Sequence, residues 1–498
     1  MKTALVINAI LKGSRWTRKI GTFDPVKNLI QKMQQIFPAQ DMFIIGPDRT
    51  LSQISDRIPG CRKIITEDTT PAGVFMVIYN NLRDYDHAVY MYMDSPLINV
   101  EVTRDMLSSH HREFSEYTYP EGFPYGFAPA IIKTELFPKL ASLSRNDTSE
   151  MGRDSVFRAL SKDINSFDLE TYFAPRDLKM KRLELSTSLK RNAMLTERVV
   201  EKEGFFCTYE RFCRLLDEQP QIVRTVPAYI EIEVTTEVNS ICSYSPLSYV
   251  TRKKGEMDIG AFKNILEGLK QFCGDFYVAF SYLGEPLLHT SIKSIIEYTL
   301  SIQGVELILE TDGHLFTPDF SDYICGLSSD HLHIVFEVDA VTQEVYQRVH
   351  SGSLSKVERN IRYLLDSRPN NVYVQMVKMH ENQHQMLQFF DIWEKEGASV
   401  IIQKYNSYLG LLPDRSSADL EPLERMCCWH LLRDMVVFNT GDVPRCRQDI
   451  NMNFNLGNLL HHPIEEVWEK ANQFYLKHCY GNYDEYCRVC DEYYSFNF

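Results

Sequence analysis

Residues 428–446 read Cys428-Trp429-His430-Leu431-Leu432-Arg433-Asp434-Met435-Val436-Val437-Phe438-Asn439-Thr440-Gly441-Asp442-Val443-Pro444-Arg445-Cys446, and Cys487-Arg488-Val489-Cys490 follows farther on. The first stretch has the form C-x12-G-x4-C and the second is C-x-x-C. A C-x-x-C turn lets two thiolates face one metal centre. Gly441 ahead of Cys446 fits a hairpin turn that presents a cysteine. Cys427 adjoins the first stretch and Cys479 precedes the second. Four thiolates suit zinc or a [4Fe–4S] cluster, and spacing alone does not choose between them.

The distribution of cysteine sharpens this reading. The chain has 498 residues and 12 cysteines, six of which (Cys427, Cys428, Cys446, Cys479, Cys487, Cys490) crowd the tail. A disulfide-stapled scaffold would spread them evenly, and a chain this long needs no staples. The pattern points to a metal or cluster site on a protein of the reducing cytoplasm. Cys61, Cys207, Cys213, Cys273 and Cys325 read as core thiols. The formal net charge of −14 argues against nonspecific nucleic-acid binding, which needs surplus Lys and Arg. No apolar run reaches the roughly 18 residues of a membrane span. Asn8 interrupts the opening apolar run and Lys12, Arg15, Arg18 and Lys19 follow it, so residues 3–8 read as a buried strand rather than a signal peptide.

Length suggests about three domains, and the periodicity of the chain agrees. In residues 1–177, runs at 3–8, 42–45 and 87–93 read as strands and 24–36 as a helix, an α/β layer with a mostly parallel sheet. Residues 178–226 read as an exposed helical linker, charged throughout. From 227 to 410, strand patterns at 229–234, 276–281, 305–309, 332–338, 372–377 and 399–402 alternate with helical ones. That series suits a partial (β/α)6 barrel, which places its chemistry at the carboxyl ends of its strands. Residues 411–498 lack long periodic segments and read as a small irregular domain.

Three groups of residues carry resemblances. Cys428-Trp429, Gly441-Asp442-Val443-Pro444-Arg445-Cys446, Asp449, Leu456-Gly457-Asn458, Ile464 and Trp468 follow one another as in the SPASM domain, which the tail resembles. SPASM domains often carry seven cysteines and two clusters, and this tail has six. The resemblance therefore implies one auxiliary [4Fe–4S] cluster on Cys428, Cys446, Cys487 and Cys490, with Cys427 and Cys479 in reserve. Ser281-Tyr282-Leu283-Gly284-Glu285-Pro286-Leu287 resembles the G-G-E-P segment of radical S-adenosylmethionine (SAM) enzymes. That likeness implies a SAM pocket at Gly284, Glu285, Pro286, Asp312 and Asp339. Those enzymes hold their reactive cluster with C-x3-C-x2-C after the first barrel strand. Here Val238, Cys242 and Ser245 stand at the three positions. Valine has no ligand atom, a neutral hydroxyl is a poor one, and one thiolate does not anchor four irons. The core motif is thus degraded, and radical formation by the usual route is not expected.

The third resemblance lies near the N-terminus. Asp94-Ser95-Pro96-Leu97 is similar to the D-x-P-L element of nucleotidyltransferases with the nucleotide-sugar-transferase fold. There an aspartate leaving a parallel strand holds Mg²⁺ on nucleotide phosphates. Arg15 and Lys19 match basic positions of the phosphate loop in sugar-acid cytidylyltransferases, whereas Ile10 and Gly13 depart from it. The whole arrangement resembles the spiro-SPASM protein family. It implies a metal-binding iron–sulfur protein with a redox, binding or accessory role. The alternatives are an active SAM-dependent enzyme modifying a peptide or sugar nucleotide, and a nucleotidyltransferase acting through residues 1–177. A partner protein fits the first of these. None of them calls for nucleic acid or a membrane.

Overall fold

The computed structural model describes residues 1–11, 15–368, 370–417 and 421–496. They form two compact units, Met1–Thr225 and Val226–Phe498.

In the first unit, β1 (Thr3–Asn8), β2 (Met42–Gly46), β3 (Arg62–Ile65), β4 (His87–Tyr92), β5 (Tyr117–Glu121), β6 (Ala130–Lys133) and β7 (Leu169–Phe173) make a seven-stranded sheet. Its order is β3-β2-β1-β4-β6-β5-β7. Strand β6 runs antiparallel to both its neighbours, while β1 pairs in parallel with β2 and β4. Alternate residues of β1 feed different cores: Ala4 and Val6 go to one, Leu5 and Ile7 to the other. A strand covered on both faces reads as an unbroken apolar run, which is why residues 3–8 look as they do.

Residues 178–225 depart from the expected exposed linker. Leu195 and Val199 of the helix Lys190–Glu203 and Phe212 of the helix Tyr209–Glu218 pack with Leu97 and Phe127 in a core of their own. The charges of this segment occupy one face, and the apolar stripe at helical spacing on the other is buried.

The second unit is built on β8 (Tyr229–Ile232), β9 (Phe276–Phe280), β10 (Val305–Thr311), β11 (Leu332–Glu337), β12 (Val372–Lys378) and β13 (Ser399–Lys404). They lie side by side in chain order, all parallel, with helices between them. The expected partial (β/α)6 barrel is present. Its outward residues, among them Ile230, Val278, Leu307, Ile334 and Val374, pack under the helices. Its inward floor is Tyr229, Ala279, Ile308 and Val335.

The tail adds a seventh strand to this sheet. Strand β14 (Asp434–Val437) runs parallel to β8 along its free edge. A turn closed by Gly441, with φ of +83°, leads to β15 (Asp442–Pro444), which pairs antiparallel with β16 (Asn455–Asn458). Residues 411–498 are thus partly regular and share the barrel's core through Met435, Val437, Val467 and Trp468. A buried ion pair fixes the joint. Arg252 bonds Glu233 with two nitrogens at 2.6 and 2.7 Å, lies 3.7 Å over the Phe438 ring and donates to the Ile450 carbonyl. Among the described residues, no helix is long and apolar enough to cross a membrane.

Removing one partner of such a pair leaves the other charged and buried. Arg252→Ala should cost about 3–5 kcal/mol of unfolding free energy. The double variant Arg252→Met/Glu233→Leu should recover most of it, as read by anaerobic urea denaturation.

Candidate functional site

The four cysteines of the expected ligand set come from three separate segments. Cys428 caps the short helix Trp429–Arg433, and the Leu431 N–H points at its sulfur. Cys446 follows β15 and receives the N–H groups of Gln448 and Asp449. Cys487 sits in the helix Glu485–Val489, whose cap Asp484 accepts from the Cys487 N–H at 2.9 Å and pairs with Arg445. Cys490 ends that helix, and the Glu492 N–H faces its sulfur. All four line one small cavity. Cys427 and Cys479 do not line it. Their sulfurs lie 2.8 Å from each other instead. Arg425, held between the rings of Tyr483 and Tyr493, donates to the carbonyls of Cys487 and Cys490 and fixes the C-x-x-C turn.

The chemistry of this donor set fits an iron–sulfur cluster. As bare thiols, Cys487 and Cys490 are pushed up to about 12, first by burial and then by neighbouring acidic groups, Cys446 among them. Cys428 is held well above its ordinary range too, by burial first. A group of thiols that resist ionising together becomes favourable as thiolates only around positive charge, which iron supplies. Backbone N–H groups aimed at the sulfurs are the hydrogen bonds that tune such a centre. Among the described residues no three His, Cys, Asp or Glu side chains are placed to hold one metal ion.

The barrel encloses a cavity of about 910 Å³. Val238, Cys242 and Ser245 all line it. The loop carrying them is stitched to residues 349–351: Ser243 N–H donates to the Val349 carbonyl, and Ser351 N–H to that of Ile241. The Ser245 hydroxyl accepts from the Leu247 N–H and caps a short 3-10 helix. Burial and the carboxylates of Glu337 and Asp339 hold the Cys242 thiol well above its ordinary range.

Gly284, Glu285 and Asp312 line the same cavity at the strand ends, with Pro286 buried beside them. A side chain at position 284 would meet the Thr235 carbonyl at 2.0 Å, so the turns after β8 and β9 approach this closely only through glycine. The Glu285 carboxylate accepts from Thr311 Oγ1 (2.9 Å), Asp312 N–H (2.9 Å) and Leu287 N–H (3.0 Å). It ties β9 to β10. Burial, and then Asp312, push Glu285 up to about 8. Burial works against the charge on Asp312 as well, yet the His314 side chain and N–H hold it below its ordinary value. Asp339 is placed differently. It is fully buried at a φ of +62° and accepts from Tyr244 Oη, His350 Nε2 and the Val377 N–H, away from the cavity wall.

The sequence reading missed the lumen itself. Glu231, Glu310, Glu337, Gln375, Gln403 and Arg447 line the cavity one layer above its floor. The signal was available: each strand residue interrupts an apolar parallel strand at a lumen-facing position, where such strands otherwise read continuously apolar. Arg447 pairs with Glu231 at 3.3 Å and borders both cavities, one residue from Cys446.

In the first unit, Asp94 leaves β4 fully buried, bonded by Arg153 and Ser188. Arg15 and Lys19 are exposed on the segment after β1. Gly13, with Lys12 and Ser14, lies outside the described residues.

Comparison with known proteins places these features. Residues 427–491 match the SPASM family, an iron-sulfur cluster-binding domain. An uncharacterized protein of Treponema pallidum (strain Nichols) is 30% identical over 358 residues, 69% of this chain and 98% of that protein. The S-adenosyl-L-methionine-dependent 2-deoxy-scyllo-inosamine dehydrogenase of Niallia circulans is 25% identical over 268 residues, 53% of this chain and 92% of that protein. This chain belongs to the radical SAM/SPASM family. The SPASM match lies in the second unit, where the cysteine cavity and the barrel are found. Among solved structures, Streptococcus suis SuiB bound to its precursor peptide SuiA covers 75% of this chain and 91% of its own at 12% identity, with a TM-score of 0.43.

The raised Glu285 has a consequence for stability. Its folded form keeps a proton that the unfolded chain releases, so its contribution is full below about 4.5 and is lost as pH rises towards about 8. Across that window, unfolding of Glu285→Gln should release about one proton fewer than unfolding of the wild type, measured as the slope of unfolding free energy against pH.

Proposed function

We propose that this chain is a radical SAM/SPASM-type iron–sulfur protein that keeps its auxiliary cluster and has lost the core one. Cys428, Cys446, Cys487 and Cys490 hold one [4Fe–4S] cluster, and the protein serves a redox, binding or accessory role. The observation that carries this reading is the single cavity that gathers those four thiols, with Cys427 and Cys479 set apart as a pair. The cluster supplies a one-electron redox centre. The chain's own part is to bury it, to aim backbone N–H groups at the sulfurs and to place Arg447 between it and the barrel lumen. At the core position, Val238 offers no ligand atom, the Ser245 hydroxyl serves as a cap, and Cys242 stands alone.

Alanine at Cys428, Cys446, Cys487 or Cys490 should abolish most of the visible iron–sulfur absorption after anaerobic reconstitution. Alanine at Cys427 or Cys479 should leave it nearly intact. The opposite pattern would move the cluster to other ligands.

A second reading, that the barrel binds SAM, is favoured by the relative whose name states SAM dependence and 92% of which aligns with this chain. Gly284, Glu285, Pro286 and Asp312 form the mouth for it, while Glu285 serves more as a strut than as a free carboxylate. On this reading calorimetry detects SAM binding to wild type and a loss of about tenfold in Asp312→Asn. No heat with wild type would remove SAM as a ligand.

We read residues 1–177 as a nucleotidyltransferase-like domain, 178–226 as its helical extension, 227–410 as the radical SAM-like barrel and 411–498 as the SPASM domain. The sheet order and the placement of Asp94 after β4 support the first assignment. Arg153 already supplies the positive charge that Mg²⁺ would bring to Asp94, so this domain serves as a binding scaffold rather than a transferase.

A further inference from the structure

Three polar side chains on the wall of the cysteine cavity take no part in the contacts described above: His430, Gln448 and His478. They are 5%, 7% and 5% exposed, so bulk water reaches little of them. Among the described residues, both ring nitrogens of His478, both amide atoms of Gln448 and Nε2 of His430 are buried without a hydrogen-bond partner. A single unpaired buried group is costly, and such groups are normally satisfied. These five atoms around one small cavity point to a guest that answers them.

The local structure holds the side chains in place. Gln448 lies in the turn after Cys446, which is closed by the Asp449 N–H donating to the Cys446 carbonyl at 3.1 Å. The Asp449 carboxylate pins that turn by accepting from the N–H groups of Asn453 (2.7 Å) and Phe454 (2.8 Å). His478 sits in the last turn of the helix Asn472–Cys479, its ring perpendicular to that of Tyr483 with 4.8 Å between centroids.

What Gln448 and His478 can give is hydrogen. An amide has two N–H donors, and an imidazole carries a hydrogen on at least one nitrogen. His430 differs. Asp434 Oδ2, 2.6 Å away, holds the hydrogen of the neutral ring on Nδ1, so its Nε2 only accepts. A guest that suits buried donors among four cysteine sulfurs is an anion rich in acceptor atoms. A lone metal ion brings no acceptor of its own, whereas a [4Fe–4S] cluster brings its inorganic sulfides.

We propose that His478 and Gln448 donate hydrogen bonds to the sulfurs of the auxiliary cluster and so raise its reduction potential. The inference rests on the assignment of that cluster to Cys428, Cys446, Cys487 and Cys490, and it adds the side chains that tune it. Reduction places one more electron on a centre that is already anionic. A donor aimed at sulfur stabilises the reduced form more than the oxidised one, and a buried site screens that difference little.

The test is a redox titration of the full-length, anaerobically reconstituted protein, followed by the EPR signal of the reduced cluster. His478→Phe and Gln448→Leu should each keep their iron and lose about tenfold in the one-electron reduction constant, a midpoint potential lower by about 59 mV. His478→Gln retains an N–H and should recover part of that loss. A second readout holds even where a variant loses its iron. In wild type made with histidine labelled with the heavy nitrogen isotope, pulsed EPR should show a weak nitrogen coupling to the reduced cluster, too small for a nitrogen bound to iron. It should vanish in His478→Phe and survive in His430→Phe as far as His478 is its source. Potentials unchanged or raised in both truncations, no histidine coupling in wild type, or a coupling that survives His478→Phe would overturn the proposal. A strong coupling would make a histidine a ligand and equally overturn it. A wild type that takes up no cluster would remove the proposed function and this inference with it. A cluster whose potential ignores both side chains would remove this inference alone.

Discussion

A half-closed barrel of parallel strands has edges, and an edge strand with free N–H and C=O groups must be covered or it will pair elsewhere. In the second unit that requirement is met at β8 by β14, a strand drawn from the cysteine-rich tail. Much else follows from this pairing. It sets the start of β15, and so the position of Cys446, beside the first barrel strand. It also brings Phe438, Asn439 and Ile450 against Arg252, so that the Arg252–Glu233 pair is buried within the joint. The next tail residue, Arg447, reaches Glu231 inside the lumen. Barrel and tail are one folding unit because a backbone ladder crosses between them.

Two concentrations of unfavourable charge are built on that frame. One is the proposed ligand set of four thiols, which resist ionisation as bare groups. The other is the lumen, where the half-buried Glu310 and Glu337 line one cavity with fewer cations than acids. Core packing accounts for neither, since an apolar residue at each of these positions would be cheaper to bury. By contrast, the loop at the core motif has spent its polar atoms on itself. The hydroxyl of Ser245 caps a turn, and the backbone around Cys242 is bonded to residues 349–351.

Much of this architecture was legible in the sequence, for physical reasons. The six barrel strands read clearly because buried parallel strands are apolar on both faces. The four cysteines read clearly because C-x-x-C and C-x12-G-x4-C are spacings at which tight turns present thiolates to one centre. Gly284 was legible through the G-G-E-P likeness, but not its close approach to the Thr235 carbonyl, which joins segments far apart in the chain. Residues 178–225 were misjudged, since a strongly charged composition hid the stripe of Leu195, Val199 and Phe212. The covering of β8 was not legible at all: Asp434–Val437 is too short to signal its partner, and pairing between distant segments leaves no local pattern. Asp339 reads as a strand-end acid like Asp312, but its left-handed backbone turns it towards His350 and Tyr244 instead.

The central claim is that one cluster site survives and the other does not. Iron and acid-labile sulfide, counted per chain after anaerobic reconstitution of the wild-type protein and read together with the EPR spectrum of the reduced form, test it most directly. The account predicts about four irons and four sulfides and a single reduced-cluster signal. About eight irons with two signals would show a working core cluster and contradict it, as would bound zinc in place of iron.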